Sequence, residues 1–343
     1  MKNGLKRSPS LVLYWENDSL ICEDYLSKKR AVVAPKTIEL LQSTGSGNPS
    51  PSARRALRSL AGLGFLRRKL NKTQVEFGRW KWGAAARHFF FSTQNAHLNP
   101  VSKSERMRYA RRIIAPDPMP PVLKSYPQAA QIVLPKLAKL APDSRVAMKI
   151  INTRHFAKKP LALEQLNELL YVACGKRSII DGGIFGKLLV KGYYSAGYRH
   201  PLEVYPVVFN VRGLKPGVYH YNVDKHALEF LRPGRFYNQV WESACRQNWM
   251  KNCAAVLMVT SVFERTSWKY RHDFGLRAIF GEFGHLSQAF YQAAAGLGLG
   301  ACTTYSVRHA LAERLLDVDG VNEAFISLVV IGRKSQGLRQ TDR

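Results

Sequence analysis

Two near-continuous apolar runs constrain this chain most, AAVLMVTSV at residues 254–262 and FISLVVI at residues 325–331. Each has the length of one strand and is apolar at almost every position, as a strand buried in a core is. No apolar run reaches the 18 or so residues that a membrane-spanning helix needs. Helix and strand patterns alternate around the two runs. Residues 161–173 have the spacing of an amphipathic helix, closed by Gly175, and residues 202–211 read as a strand of mixed burial. VYHYN and ALEFL flank VDKH and predict a β-hairpin. Residues 282–295 predict a helix with Phe283, Leu286, Phe290 and Ala293 at apolar positions. The expected fold class is α+β, with helices packed on a sheet.

The first hundred residues read differently. Residues 11–26 predict a strand, a polar turn and a second short extended segment. Helices follow at 35–42 and 52–63, separated by the turn-rich residues 43–49 and ended by Gly64. In the second helix Ala53, Leu57, Leu60 and Ala61 share one face, and Arg54, Arg55 and Arg58 the other. FLRRKL and TQVEFGRW then complete the outline of a winged helix, whose arginine-lined helix suits a DNA groove. A solvated basic face, or a peptide-binding domain, fits the same residues. Residues 100–142 are rich in proline and basic side chains, including Pro116, Pro118, Pro120 and Pro121, and read as a connector. The expected division is therefore 1–99, a connector over 100–142, and a second domain over 143–343.

At 343 residues, about two domains are expected, and 46% hydrophobic with 11% aromatic content excludes wholesale disorder. Lys and Arg outnumber Asp and Glu by 52 − 24 = +28, which favours an acidic partner without saying which. Five cysteines with no CxxC argue against a disulfide framework and a structural zinc. The basic N-terminal stretch is followed by only five apolar residues before Glu16, too few for a signal peptide, so the expected location is the cytoplasm.

There is no P-loop, GxGxxG, HExxH or GxSxG. GLGLG at 296–300 follows a predicted helix instead of opening one, and by itself reads as a helix cap. Six segments in order carry more weight: TRHFAKKPLALEQLNELL (153–170), YSAGYRHPLEVY (194–205), GLKPGVYHYNVDKHALEFL (213–231), WKYRHDFGLRAIFGEFGHLSQ (268–288), GLGLGAC (296–302) and LVVIGRK (328–334). Together they resemble the nitroreductase-like flavoproteins, specifically the SagB-type azoline dehydrogenases of thiazole/oxazole-modified peptide biosynthesis. LVLYWENDSLICEDYL and WKWGAAARHFFFST resemble that family's winged-helix front end.

The resemblance implies an FMN-dependent enzyme. It would oxidise thiazoline or oxazoline rings, made in a precursor peptide by a partner cyclodehydratase, to thiazole or oxazole, with O2 as electron acceptor. It also implies a homodimer with FMN at the subunit interface and a basic front domain that engages an acidic leader peptide or the cyclodehydratase. Neither a membrane nor a nucleic acid is the expected partner. Two other readings stay open: an NAD(P)H-dependent nitro/quinone reductase, and a winged-helix nucleic-acid-binding protein with a degenerate flavin fold.

Lys269 and Tyr270 match the family's Lys-Tyr pair, with Lys269 as the base and Tyr270 as a hydrogen-bonding relay; read without the resemblance, Lys269 is one more surface lysine. Arg154 matches a basic position of the family's opening motif, but Ile150 and Ile151 stand where paired arginines are expected. Asn152 takes the place of a serine, and Lys149 supplies some of the missing charge. Arg333 and Lys334 match the phosphate-contacting position after the last strand. Ser195 and Gly197 match the segment along the flavin edge, with Tyr198 where a second glycine is usual. Thr303 and Thr304 match the strand that faces the flavin ring. His285 reads as a packed core histidine.

Overall fold

Side chains alternate between the faces of a strand, so a strand that is apolar throughout must be covered on both sides. That is the situation of the two apolar runs, which lie side by side within a seven-stranded antiparallel sheet. The computed structural model describes residues 5–42, 50–71, 74–75, 88–89, 103–135, 152–271, 274–320 and 322–335. The chain divides into two units, Met1–Leu98 and Asn99–Arg343.

The first unit contains β1 (Lys6–Arg7), β2 (Leu11–Glu16), β3 (Ser19–Asp24), β4 (Lys29–Val32), α1 (Lys36–Gln42), α2 (Pro51–Leu63) and β5 (Leu66–Arg67). β2, β3 and β4 form a three-stranded antiparallel sheet. The Ser50 hydroxyl caps α2 by accepting from the Ala53 amide at 3.2 Å, and Gly64 ends the helix at φ +85°. Leu60 packs with Cys22, Leu41, Phe65 and Leu66, while Arg54, Arg55 and Arg58 are exposed, as the sequence pattern requires. The expected ribbon after α2 is different: β5 pairs with β1, with Lys6 opposite Arg67, and residues 76–80 of the second arm lie outside the described residues. So do the turn at 43–49 and all of WKWGAAARHFFFST except His88 and Phe89.

The second unit runs α3 (Lys103–Ile114), β6 (Ala130–Val133), α4 (Leu163–Cys174), β7 (Lys176–Asp181), β8 (Lys187–Lys191), β9 (Leu202–Val208), β10 (Gly217–Asn222), β11 (Ala227–Pro233), α5 (Tyr237–Ser243), β12 (Ala255–Val262), α6 (Phe263–Ser267), α7 (Phe274–Gly296), β13 (Leu299–Thr304), α8 (His309–Leu316) and β14 (Glu323–Arg333). The sheet order is β13-β14-β12-β9-β10-β11-β6, and β7 and β8 form a separate hairpin. Leu257 and Val259 of β12 join one core cluster with Leu166 and Leu169 of α4 and Phe283 and Phe290 of α7. Val256 and Met258 join the other, with Val240 of α5 and Leu315 of α8. The segment expected as a connector carries α3 and supplies edge strand β6, which pairs with β11 from Ala130 opposite Phe230 to Val133 opposite Ala227. Among the described residues no helix is long and apolar enough to cross a membrane.

GLGLG behaves as a cap and connection. α7 ends at Gly296, Gly298 takes φ +68°, and β13 starts at Leu299. Four of the cysteines are buried, and Cys245 is exposed.

Candidate active site

A buried ionic cluster sets the position of the site. His220 of β10 places Nδ1 at 2.8 Å from Glu229 and Nε2 at 3.0 Å from Glu203, and Arg265 of α6 pairs with the other oxygen of Glu203. Burial alone would lower the His220 pKa, but the two carboxylates outweigh it and hold it above the ordinary histidine value. Arg265 also donates to the carbonyls of His200, at 3.0 Å, and Pro121, at 3.0 Å. One guanidinium thereby ties α6 to β9 and to the loop after β8. The residues just past α6 are Trp268, Lys269 and Tyr270, so this tie places them against that loop.

The contact occurs at Gly197. Its φ of +61° is left-handed, and a Cβ there would come within 2.6 Å of the Tyr270 hydroxyl and 2.8 Å of Lys269 Nζ. Glycine is thus required twice, by conformation and by space. Lys269 Nζ sits 4.2 Å from the centre of the Phe185 ring, carried by the turn between β7 and β8, and 5.5 Å from that of Tyr270. The Tyr109 hydroxyl of α3 donates to the Lys269 carbonyl at 3.0 Å. Arg199 is buried, stacks 5.0 Å over Trp268 and donates from Nε to the Arg265 carbonyl at 2.7 Å; its Nη2 has no partner among the described residues. Burial, with the nearby Arg199 cation, lowers the Lys269 pKa from the usual lysine range. Burial raises that of Tyr270. Both shifts run in the direction that a proton acceptor and a hydrogen-bond donor need.

Ser195 is buried and its hydroxyl accepts from the His200 amide at 2.8 Å. Between this loop and α7 lies a cavity of about 320 Å³ lined by Tyr194, Ala196, Tyr270, Glu282 and His285 among others. His285 is exposed at this cavity with its ring 5.3 Å from that of Tyr194, which corrects the expectation of a core histidine. The apolar stripe of α7 runs through Phe283, Leu286 and Phe290, and His285 falls off it.

The remaining sequence-predicted residues gather near the other end of α7. The Tyr291 hydroxyl donates to Asn152 Oδ1 and accepts from the Thr303 amide at 2.7 Å. Asn152 bridges to Ala301 of β13, and Phe156 bridges to Lys334 just past β14, so the 152–156 arm lies along the ends of both strands. Gly300 leaves room for Thr153, which a Cβ would meet at 2.5 Å. Arg154 and Lys334 are exposed cations on these paired segments, and the Arg154 guanidinium acts on the Cys302 thiol. Arg333 is engaged elsewhere: Nε donates to the Pro160 carbonyl at 2.9 Å and Nη2 to Gln165 at 3.0 Å, so it holds the arm against α4. Thr304 faces the opposite side of the sheet, where its hydroxyl accepts from Gln247 at 2.9 Å. Residues 149–151, where the paired arginines are missing, lie outside the described residues.

The donor set fits a flavin mononucleotide. Arg154, which also contacts the Cys302 thiol, and Lys334 offer two exposed cations for a phosphate, and the glycine-bearing loop at Ser195–Gly197 brings backbone close to the acid-base pair. Glu282 and Tyr291, one from each group of residues, are nine positions apart on α7, a span of about 14 Å. Among the described residues no group of three or more His, Cys, Asp or Glu is placed to hold a metal ion. Sequence reasoning missed Phe185, Arg199, Glu282 and Tyr291. Only the first carried a local signal, as the one aromatic in the turn GGIFG.

The helix-flanked antiparallel sheet is the fold of the nitroreductase-type proteins. The Nitroreductase family model matches residues 152–333, and the chain belongs to that family. It is 29% identical over 204 residues to a candidate nitroreductase of Methanocaldococcus jannaschii, covering 60% of this chain and 96% of that protein. It is 32% identical over 177 residues to the trifolitoxin-processing protein TfxB of Rhizobium leguminosarum bv. trifolii, covering 50% of this chain and 48% of the relative. A crystal structure of a candidate nitroreductase from Anabaena variabilis superposes with a TM-score of 0.53 at 22% identity, covering 66% of this chain and 45% of that one. This chain thus spans less than half the length of the last two proteins, and the structural likeness speaks to the fold.

Proposed function

We propose that this chain is an FMN-dependent azoline dehydrogenase of the SagB type, oxidising thiazoline or oxazoline rings in a ribosomal precursor peptide with O2 as electron acceptor. The observation that carries the reading is the pair Lys269–Tyr270 seated against Gly197, with the amine depressed by burial and by Arg199. The likeness to a trifolitoxin-processing protein supports a peptide as substrate. The exposed Arg54, Arg55 and Arg58 of α2 suit an acidic leader peptide. A homodimer and an association with the cyclodehydratase belong to the same reading.

Aromatising an azoline removes a proton from the ring Cα and a hydride from Cβ. Lys269, as the free amine, takes the Cα proton at Nζ. Tyr270 donates from its hydroxyl to orient the ring, and Phe185 shields the amine from water. Arg154 and Lys334 would hold the FMN phosphate; Asn152, Ser195, Gly197 and Thr303 would border the rest of the cofactor. When bound, FMN supplies the hydride acceptor for Cβ.

The test is to incubate the FMN-loaded protein with an azoline-containing peptide and follow the loss of two hydrogens by mass spectrometry. Lys269→Ala should abolish the loss and leave FMN bound. Turnover of nitro compounds or quinones with NAD(P)H, and none of the azoline, would instead support the reductase reading.

A further inference from the structure

Of the buried acids that the mechanism above leaves unused, Glu282 is the one that lines the cavity beside Tyr270. Glu282 sits in the middle of α7 with only 3% of its surface exposed, and its Oε1 has no hydrogen-bond partner among the described residues. Buried carboxyl oxygens are seldom left without a partner, because burying one unpaired costs several kcal/mol. The side chain lines the 320 Å³ cavity whose wall also includes Tyr270, and the same cavity is bordered by the exposed Tyr194 and His285. Tyr270, whose Oη lies with Lys269 Nζ at Gly197, and the Glu282 carboxyl group therefore border one cavity, which the exposed Tyr194 and His285 also line.

We infer that Glu282 is a positioning and proton-relay residue of this site, taking through Tyr270 the proton that Lys269 removes from the substrate. The inference rests on Lys269 being the base. In each cycle the Lys269 ammonium gives its extra proton to Tyr270 Oη while Tyr270 passes its own proton, through solvent in the shared cavity, to the Glu282 carboxylate. Glu282 then releases one proton to water at the His285 side of the cavity. One proton moves, and no electron does. Lys269 is restored as the free amine for the next ring.

The electrostatics agree. Burial pushes the Glu282 carboxyl up to about 7, against the opposing pull of the Ser195 hydroxyl, the Lys191 cation on β8 and the Ala196 amide. Lys191 is itself buried and lowered from the usual lysine range, mainly by burial. Facing groups also include Tyr193, raised by burial and by Glu282, together with Tyr194 and Tyr270; His285 lies one turn further along α7. A carboxyl near neutrality can both accept and release a proton at working pH.

The experiment compares wild type, Glu282→Gln and Glu282→Asp, all loaded with FMN. Wild-type kcat for azoline oxidation should rise with pH through about 7 as Glu282 ionises. In Glu282→Gln, kcat should fall about a hundredfold with KM nearly unchanged, and the rise near neutrality should vanish. Glu282→Asp should restore part of kcat and the inflection, which a purely structural role would not require, and it answers the question if the glutamine variant fails to fold. Independently of turnover, carbon-13 NMR of glutamate-labelled protein should show one carboxyl titrating near neutrality, absent from Glu282→Gln. A glutamine variant with the wild-type kcat and pH profile overturns the relay and leaves the dehydrogenase reading standing. A wild type that oxidises no azoline overturns the dehydrogenase reading, and the relay with it.

Discussion

Gly197 faces Tyr270 so closely that a methyl group on its α-carbon would lie 2.6 Å from the phenolic oxygen. Real Cβ atoms do not approach a neighbour that closely, so the phenol and the adjoining lysine would have to move. Gly197→Ala should therefore reduce azoline oxidation about a hundredfold, because displacing catalytic groups by an ångström has that order of effect. The strain of a non-glycine residue at φ +61° adds a cost of about 1 kcal/mol. Flavin content measured beside kcat/KM checks this: activity should drop while the protein stays folded and coloured.

Lys269 and Arg199 should be coupled. Arg199, itself lowered to about 10 by burial and Arg265, helps to depress the Lys269 amine. For a base, the active form is deprotonated, so the alkaline-going limb of kcat/KM against pH should begin below the ordinary lysine value of about 10.4. Arg199→Gln removes the cation and should move that limb to higher pH. A limb that stays in place would separate the two residues.

The cationic arm predicts a division of labour. Arg154→Ala and Lys334→Ala should each weaken FMN binding about 10- to 100-fold, the worth of one charge-assisted hydrogen bond to a phosphate. Arg333→Ala should act otherwise, loosening the arm from Pro160 and Gln165 and lowering the melting temperature along with affinity. Tyr291→Phe leaves the Thr303 amide and Asn152 without their shared hydroxyl and should cost about 1–3 kcal/mol of stability. Fluorescence titration with FMN and thermal unfolding distinguish these variants.

The cluster around His220 should make stability depend on pH in both directions. His220 is raised in the fold, so its contribution is complete below its unfolded value of about 6.5 and is lost as pH rises through the folded value. Glu229 is lowered to about 2, against its own burial, by the His220 and Asn222 hydrogen bonds. Its contribution is present above about 4.3 and is lost as pH falls toward 2. Glu203→Gln leaves Arg265 and His220 facing a neutral group and should destabilise by about 3–5 kcal/mol. Urea unfolding across pH 3 to 9 checks both claims.

Much of the fold is legible along the chain because it rests on local periodicity. The apolar run at 254–262, the hairpin around residues 223–226 and the helical stripe of Phe283, Leu286 and Phe290 are written in consecutive residues, and the sheet and its helices follow from them. Composition also says in advance that the surface is strongly basic, since +28 is a sum that folding does not alter. The site divides along the same line. Lys269, Tyr270, Gly197 and Arg154 stand in recognisable order, whereas their partners are brought from elsewhere: Phe185 from a hairpin turn, Arg199 from a loop, and Glu282 and Tyr291 from α7. The tie that joins them runs through Arg265, Glu203 and His220, side chains separated by up to 62 residues, and a buried ion pair leaves no trace in spacing. Burial supplied the chemistry, since it lowers one amine and raises one carboxyl, and a side chain's exposure depends on everything packed around it.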